Sequence, residues 1–130
     1  MGKRQDREEI LKALYNIDLI NDYSESSVKQ LAMMNNWTPA TNDTILKIAA
    51  NINTIDQYIS KYLKNWAIGR IAVVDRNILR LAISELLYEP VTPIKVIINE
   101  AVEIAKKYGT KDSFSFINAV LDKVARELKR

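Results

Sequence analysis

The stretch Val74–Tyr88, VDRNILRLAISELLY, decides the fold class of this 130-residue chain. Its apolar residues recur at helical spacing around most of the circumference. They leave only a narrow polar side around Arg76, Asn77, Arg80 and Ser84. A helix that is apolar on most sides has to be surrounded by other helices. We therefore predict a central helix and an all-α domain built around it.

Helical periodicity continues on both sides of this stretch, and nowhere is there the sustained alternation that is typical of strands. Ser24, Thr38-Pro39 and Thr92-Pro93 are helix-start signals, and Gly109 is expected to end a helix in the left-handed conformation. The other expected helices cover about 4–20, 24–35, a third beginning at 38–42, 54–63, 93–108 and 113–128, where the third and fourth could be one bent helix. We predict about seven helices in a single domain, 1–130.

The residue inventory excludes several kinds of active site. The chain has no Cys and no His, so zinc sites built on those residues, cysteine nucleophiles and histidine-based triads are excluded. Three glycines are too few for a Walker loop or a dinucleotide fingerprint. Carboxylate catalysis or a magnesium site stays open, but we expect neither an enzyme nor a cofactor. With no apolar run of about eighteen residues and no signal-peptide pattern, a cytoplasmic protein without a membrane contact is expected.

Charge is unevenly distributed along the chain. Residues 1–60 carry 6 basic and 8 acidic side chains, a net of −2, and residues 61–130 carry 13 and 8, a net of +5. Such asymmetry is compatible with an anionic partner. Lys3, Arg4 and Arg7 stand at the start of the first helix, where cations oppose the helix dipole. They could form a solvated first turn or a basic end available to phosphates.

Asp75 is unusual because it lies about 60° from Ile78, on the apolar side of the central helix. One interpretation is a helix-start residue that is favoured by the dipole. The other is a carboxylate exposed at a partner interface. The sequence pattern leaves both open.

Phe114 and Phe116 are two residues apart, so a helix points them in different directions. Relative to Ile117, Phe114 falls within about 60° of the apolar stripe, whereas Phe116 lies about 100° away, beside Asp112 and Lys123. We predict that Phe114 is buried and that Phe116 is the exposed ring. Phe116 could stack on a nucleic-acid base, or it could cover an edge between helical bundles.

Four motifs, ILRLAISEL (78–86), INEAVEIAK (98–106), YGTKDS (108–113) and FINAVLDK (116–123), occur in an order that resembles the NusB family of bacterial transcription antitermination factors. ILKALYNID (10–18) resembles the first helix of that family. The resemblance covers nearly the whole chain and is weakest over 23–43. Ala119 stands where the family usually has glycine, and the first helix has fewer arginines than is usual there.

The resemblance implies two small helical bundles packed across each other. It also implies binding to the single-stranded boxA RNA of nascent transcripts, particularly ribosomal ones. NusB-like proteins bind this RNA with NusE, a ribosomal protein of the small subunit, and load an antitermination complex onto RNA polymerase. They catalyse nothing, and some of them form homodimers.

The resemblance also implies site residues. The matching RNA-binding positions, with the adjacent Lys111 added, are Lys3, Arg4, Arg7, Lys111, Asp112 and Phe116. The matching partner-binding positions are Tyr15 and Asp75.

For other residues in or near these motifs, a structural role or a solvated surface position is a possible interpretation. Lys111, together with Lys106 and Lys107, could equally form a solvated rim. Structural roles are expected for Asn99, Glu100 and Asn118, and Trp66 is expected in the core or as a plug between the bundles. The alternative function is a helical RNA-binding accessory, or a homodimeric scaffold, related to the NusB-like domain of ribosomal RNA methyltransferases.

Overall fold

The structure is a computed structural model, and it describes residues 3–64 and 67–130. Within these ranges the chain forms seven α-helices and no strand, which confirms the all-α prediction. The helices are α1 (Arg4–Ile20), α2 (Glu25–Asn35), α3 (Pro39–Ala50), α4 (Ile52–Lys61), α5 (Val73–Tyr88), α6 (Ile94–Tyr108) and α7 (Ser113–Glu127), with a 3-10 turn at Ile68–Arg70 before α5. Trp66 lies outside the described residues.

The helix α5 occupies the centre of the molecule, as its sequence predicts. It packs against α1, α3, α4, α6 and α7. Ten consecutive residues, from Asn77 to Leu86, are buried. The first bundle contains α1, α2 and α3, the second contains α4 to α7, and α5 joins them through its contacts with α1 and α3.

The polar side of α5 faces acidic side chains instead of water. Arg80 contacts Asp56 at 2.8 Å and Asp18 at 3.3 Å, while Arg76 contacts Asp18 at 2.7 Å. Asn77 donates a hydrogen bond to Asp18 at 2.9 Å. Burial favours a raised pKa for Asp18, but the hydrogen bonds from Arg76 and Asn77 and the charge of Arg80 outweigh it and lower that pKa. This network ties α1, α4 and α5 together.

The predicted helix starts are correct for α2 and α3. The Ser24 hydroxyl accepts from the Ser27 N–H at 3.3 Å, and Thr38 accepts from Thr41 at 3.2 Å. At α6 the predicted cap is one residue early, because Pro93 and not Thr92 provides the carbonyl that accepts the first helical bond. Asn51 separates α3 from α4, so the described chain has two helices there.

The prediction for Gly109 is wrong in mechanism. Its φ of −93° and ψ of −172° are extended, not left-handed. A Cβ at this position would lie 2.5 Å from the Ser113 Oγ and 2.8 Å from the Ala105 carbonyl oxygen. Glycine is therefore required for the close approach of α6 to the first turn of α7.

Candidate functional site

A depression of about 510 Å³ brings together side chains that the sequence could place only separately. It lies where the 3-10 turn, the start of α5, the α6–α7 turn and the start of α7 meet. Its walls are formed by Arg70, Ile71, Ala72, Asp75, Thr110, Asp112, Ser113 and Phe116. Asp75 and the pair Asp112 and Phe116, predicted for two different partners, thus share one recess.

The burial predicted for the two phenylalanines is wrong for both rings. Phe114 is 38% exposed, whereas Phe116 is half-buried, packs against the core and lines the depression. Ser113 takes the buried position in the first turn of α7, where its hydroxyl accepts from the Thr110 N–H at 2.9 Å. The angle around a helix predicts the direction of a ring but not which other helix packs against that side. Phe114 lies at the outer edge between α6 and α7.

Asp75 lies in the first turn of α5, as one of its two interpretations required. It also borders the depression, as the other required. Its Oδ1 atom is buried and has no hydrogen-bond partner among the described residues. A buried acceptor without a partner costs free energy, typically about 1–3 kcal/mol. Such a group is therefore ready to accept a hydrogen bond from a bound molecule.

Tyr15 lies in a second hollow, of about 240 Å³, beside the depression. The hollow is also lined by Leu11, Val74 and Tyr108, and Val74 precedes Asp75 on α5. Tyr15 is 41% exposed. The two predicted partner-binding residues therefore lie on one continuous face, which we call the α1–α5–α7 face, comprising the depression and this hollow.

Glu8 holds one wall of the hollow in place. It accepts hydrogen bonds from Lys107, at 2.8 Å, and from the Tyr108 hydroxyl, and these bonds lower the pKa of Glu8. Lys107 is therefore paired with Glu8, while its side chain stays 57% exposed.

Arg7 does not belong to the surface on which the sequence placed it. Its side chain is 1% exposed and forms two hydrogen bonds with Glu85 of α5, at 2.7 and 3.0 Å. Arg7 is on the inner stripe of α1 together with Ile10 and Leu14, and Glu85 provides the buried charge that it needs. The prediction of an RNA contact at Arg7 is contradicted by this burial.

The other predicted basic residues are exposed but lie apart from the depression. Arg4 binds Glu100 of α6 at 2.7 Å, and Lys3 precedes it. Along α1 they are about 17 Å from Tyr15, at 1.5 Å per residue. Lys111, by contrast, is exposed in the turn next to Asp112. Three of the predicted site residues, Asp75, Asp112 and Phe116, therefore line the depression, and Lys111 lies next to Asp112. The basic end of α1 is separate from them.

Arg70 and Tyr108 are two site-lining residues that sequence reasoning missed. Arg70 is exposed on the lip of the depression, and Tyr108 forms a wall of the hollow. Each lies beside a break in helical periodicity, Arg70 shortly before α5 and Tyr108 at the last position of α6. A position beside such a break is the only sign in the sequence that these residues line a site. Their contacts with residues distant in the sequence depend on the fold.

Two searches of the described residues gave negative results. No group of three or more acidic side chains there is arranged to hold a metal ion. Nor does any described helix have the length and apolar character needed to cross a membrane.

Comparison with known proteins gives a consistent result. Residues 4–126 match the model of the NusB family. The chain is 38% identical to the transcription antitermination protein NusB of Citrifermentans bemidjiense over 135 aligned positions, which cover 95% of this chain and 93% of the relative.

Solved structures agree with the sequence comparison. The fold is similar to that of T. maritima NusB, with a TM-score of 0.80 and 37% identity over 98% of this chain and 94% of that one. It is also similar to a chain in a structure described as antitermination factors NusB and NusE in complex with dsRNA. That match has a TM-score of 0.75 and 25% identity over 95% of this chain and 96% of that chain.

Proposed function

The chain belongs to the NusB family, and on that premise we propose that it acts in transcription antitermination by binding boxA RNA together with NusE. The observation that carries this proposal is the single α1–α5–α7 face. Around its depression alone, this face combines the Phe116 ring, the carboxylates of Asp75 and Asp112 and two exposed cations, Arg70 and Lys111, from four separate segments.

The depression has the chemistry for single-stranded RNA. The Phe116 ring offers a surface on which a base can stack. The carboxylates of Asp75 and Asp112 can accept hydrogen bonds from exocyclic amines, and Arg70 and Lys111 lie where they can neutralise phosphates. Bases must be unstacked to use such a site, so we propose a single strand as the ligand rather than a duplex.

The hollow beside the depression has the chemistry for a protein partner. Tyr15 and Tyr108 are amphipathic rings at the rim of an apolar floor, a composition that is common in interface centres. A protein seated there would also reach Asp75, because Val74 belongs to the hollow and the next residue to the depression. The complex of a relative with NusE and dsRNA supports NusE as the protein partner. We assign NusE to this hollow because of the composition of the hollow.

The rest of the proposal concerns the role of the whole protein. We propose a single domain, 1–130, that works as a binding protein without catalysis in the cytoplasm, and that joins an RNA polymerase antitermination complex. Lys3 and Arg4 then act as a secondary electrostatic contact, while the buried Arg7 has a structural role.

The test is a titration of three RNAs with the chain, in the presence and absence of NusE. The RNAs are single-stranded boxA, a scrambled strand of the same composition, and boxA annealed to its complement. We expect the tightest binding to single-stranded boxA and an increase on adding NusE. Equal affinity for boxA and the scrambled strand would contradict the proposal.

Single substitutions test where on the protein the RNA binds. Phe116→Ala is expected to weaken boxA binding by about tenfold, since stacking on an aromatic ring is lost. Met33→Ala is the matched control, because Met33 is 84% exposed on α2, in the other bundle. Since Phe116 also packs against the core, melting temperatures are measured in parallel. A loss of stability without a loss of affinity would show that the ring only covers the edge between bundles.

A further inference from the structure

A groove between α6 and α7 is larger than the depression and has no role in the function proposed above. Its volume is about 890 Å³. It follows α6 from Ile94 to Lys106, a length of about 18 Å. Ile98 and Val102 supply apolar lining, and Phe114 stands at one end.

The polar groups of the groove suit nucleotides. Asn99, Ser115 and Asn118 line it, and Asn99 and Asn118 are exposed, which contradicts the structural role expected for them. Amides and hydroxyls of this kind can both donate to and accept from base edges and sugars. The Lys106 ammonium lies 5.3 Å from the centroid of the exposed Phe114 ring. A ring with a cation at one face is a suitable platform for a base.

The charges of the groove favour an anion. Its two carboxylates are both neutralised by arginines, Glu100 by Arg4 at 2.7 Å and Asp122 by Arg126 at 3.1 Å. Lys106 is likewise 3.4 Å from Glu103, whereas Lys95 is exposed. With these ion-pair partners the groove carries four cations against three carboxylates, so the excess charge is positive.

The groove also connects the two parts of the predicted RNA surface. At one end, Ser113 lines the depression and the next two residues, Phe114 and Ser115, line the groove. Midway along the α6 side of the groove, Glu100 lines it and holds Arg4. A strand that contacts both Phe116 and the basic end of α1 has a continuous path through the groove.

From this arrangement we infer that the α6–α7 groove binds a segment of single-stranded RNA flanking boxA, with one base stacked on Phe114. The inference rests on the proposed function, which sets the direction in which the RNA strand runs through the groove. At about 3.4 Å per stacked nucleotide, the groove accommodates roughly five nucleotides. Its contacts are to ring faces, sugars and phosphates, so the groove adds affinity with little sequence preference.

The experiment compares three single-stranded RNAs, bound by the full chain with NusE. The first is boxA alone, the second is boxA extended by five nucleotides at both ends, and the third is oligouridylate of the same total length. Wild-type protein is expected to bind the extended RNA more tightly than boxA alone. Phe114→Ala should weaken the extended complex by about tenfold and leave boxA alone unchanged, and Phe114→Trp should retain the gain. Phe116→Ala should weaken both complexes.

Lysine variants test the electrostatic part. Lys106→Ala should reduce the salt dependence of binding by about 0.7 in the slope of log K against log salt, for the extended RNA alone. Lys29→Ala is the matched control, because Lys29 is likewise exposed and paired with a glutamate one turn away, but lies in the other bundle. It should leave the slope unchanged.

Failure of the inference is distinct from failure of the proposed function. If wild-type protein gains nothing from the extension, or if Phe114→Ala weakens both RNAs equally, the groove is not an RNA path, although boxA binding stands. If boxA alone is not bound, the proposed function fails, and binding of oligouridylate then tests the groove. Oligouridylate binding that is lost in Phe114→Ala supports the inference. If wild-type protein and Phe114→Ala do not differ in this binding, the inference is overturned. If Phe114→Ala changes only the sedimentation of the protein, the groove is a contact between copies of this chain, which also overturns the inference.

Discussion

The first turn of α5 and the turns that follow it hold their charged residues in opposite ways. Arg80 and Glu85, in the middle of the helix, are buried and matched by Asp56 and Arg7 from other helices. Asp75, in the first turn, has a buried oxygen without a hydrogen-bond partner among the described residues. Charge alone therefore does not identify a binding residue in this protein. The paired charges hold the helices together, whereas Asp75, with an unpartnered oxygen among the described residues, borders a recess.

Arg7→Ala should have the largest effect on stability. It leaves the Glu85 carboxylate buried without its guanidinium, and breaking a buried pair costs about 3–5 kcal/mol. Urea denaturation measures the loss. Arg7→Met combined with Glu85→Leu is the control, because it removes both charges and should recover most of the stability. If Arg7→Ala is as stable as the wild type and loses RNA affinity instead, Arg7 contacts RNA and does not stabilise the fold.

Asp18→Asn should lower the free energy of unfolding by about 2 kcal/mol at pH 7, since hydrogen bonds to a charged acceptor are weakened. The pKa of Asp18 is lowered in the folded protein, so its stabilising effect is complete above the unfolded value near 3.8 and is lost as pH falls through the folded value. Acid denaturation of Asp18→Asn should consequently be less steep than that of the wild type. Equal steepness would place the acid sensitivity in other carboxylates.

Asp75→Ala should have a smaller and opposite effect on stability. The substitution removes a buried acceptor that has no hydrogen-bond partner among the described residues. The benefit of removing it outweighs the loss of a favourable charge at a helix start. We therefore expect the free energy of unfolding to rise by about 0.5–1 kcal/mol. NusE affinity should fall at the same time. Asp56→Ala is the matched control, because the same substitution at a paired aspartate should destabilise the protein. A marked loss of stability in Asp75→Ala would show that Asp75 is a structural residue after all.

Arg4→Ala should have the smallest effect. Its ion pair with Glu100 is exposed, and such pairs contribute little, so the melting temperature should change by less than about 2 °C. Glu100 already neutralises Arg4, so this variant should change the salt dependence of RNA binding less than Lys3→Ala does. A larger change in Arg4→Ala than in Lys3→Ala would mean that RNA displaces Glu100 from Arg4.

Helix positions and the central place of α5 could be predicted because they follow from local properties. Apolar spacing, Ser24 and Thr38 as caps and the prolines all act within one or two turns. The errors arose where a distant segment decides. Gly109 is needed because Ser113 approaches it, and Phe114 is exposed because Ser113 fills the buried position. Phe116 lies beside Asp112 as its angle predicts, but it is half-buried and not exposed, because α5 and the 3-10 turn form the recess around it.

The all-α fold, the approximate positions of the helices and the family follow from the sequence alone, because periodicity, capping and ordered motifs are local properties of the chain. Individual boundaries were off by one or two residues, as at α4 and α6. Which charges are satisfied depends on the tertiary structure. Arg7 and Glu85 are 78 positions apart, and neither carries a local signal that names the other. Pairing between helices depends on how the bundles pack, and that packing buried Arg7, tied Arg4 to Glu100 and left Asp75 facing an open recess beside Phe116.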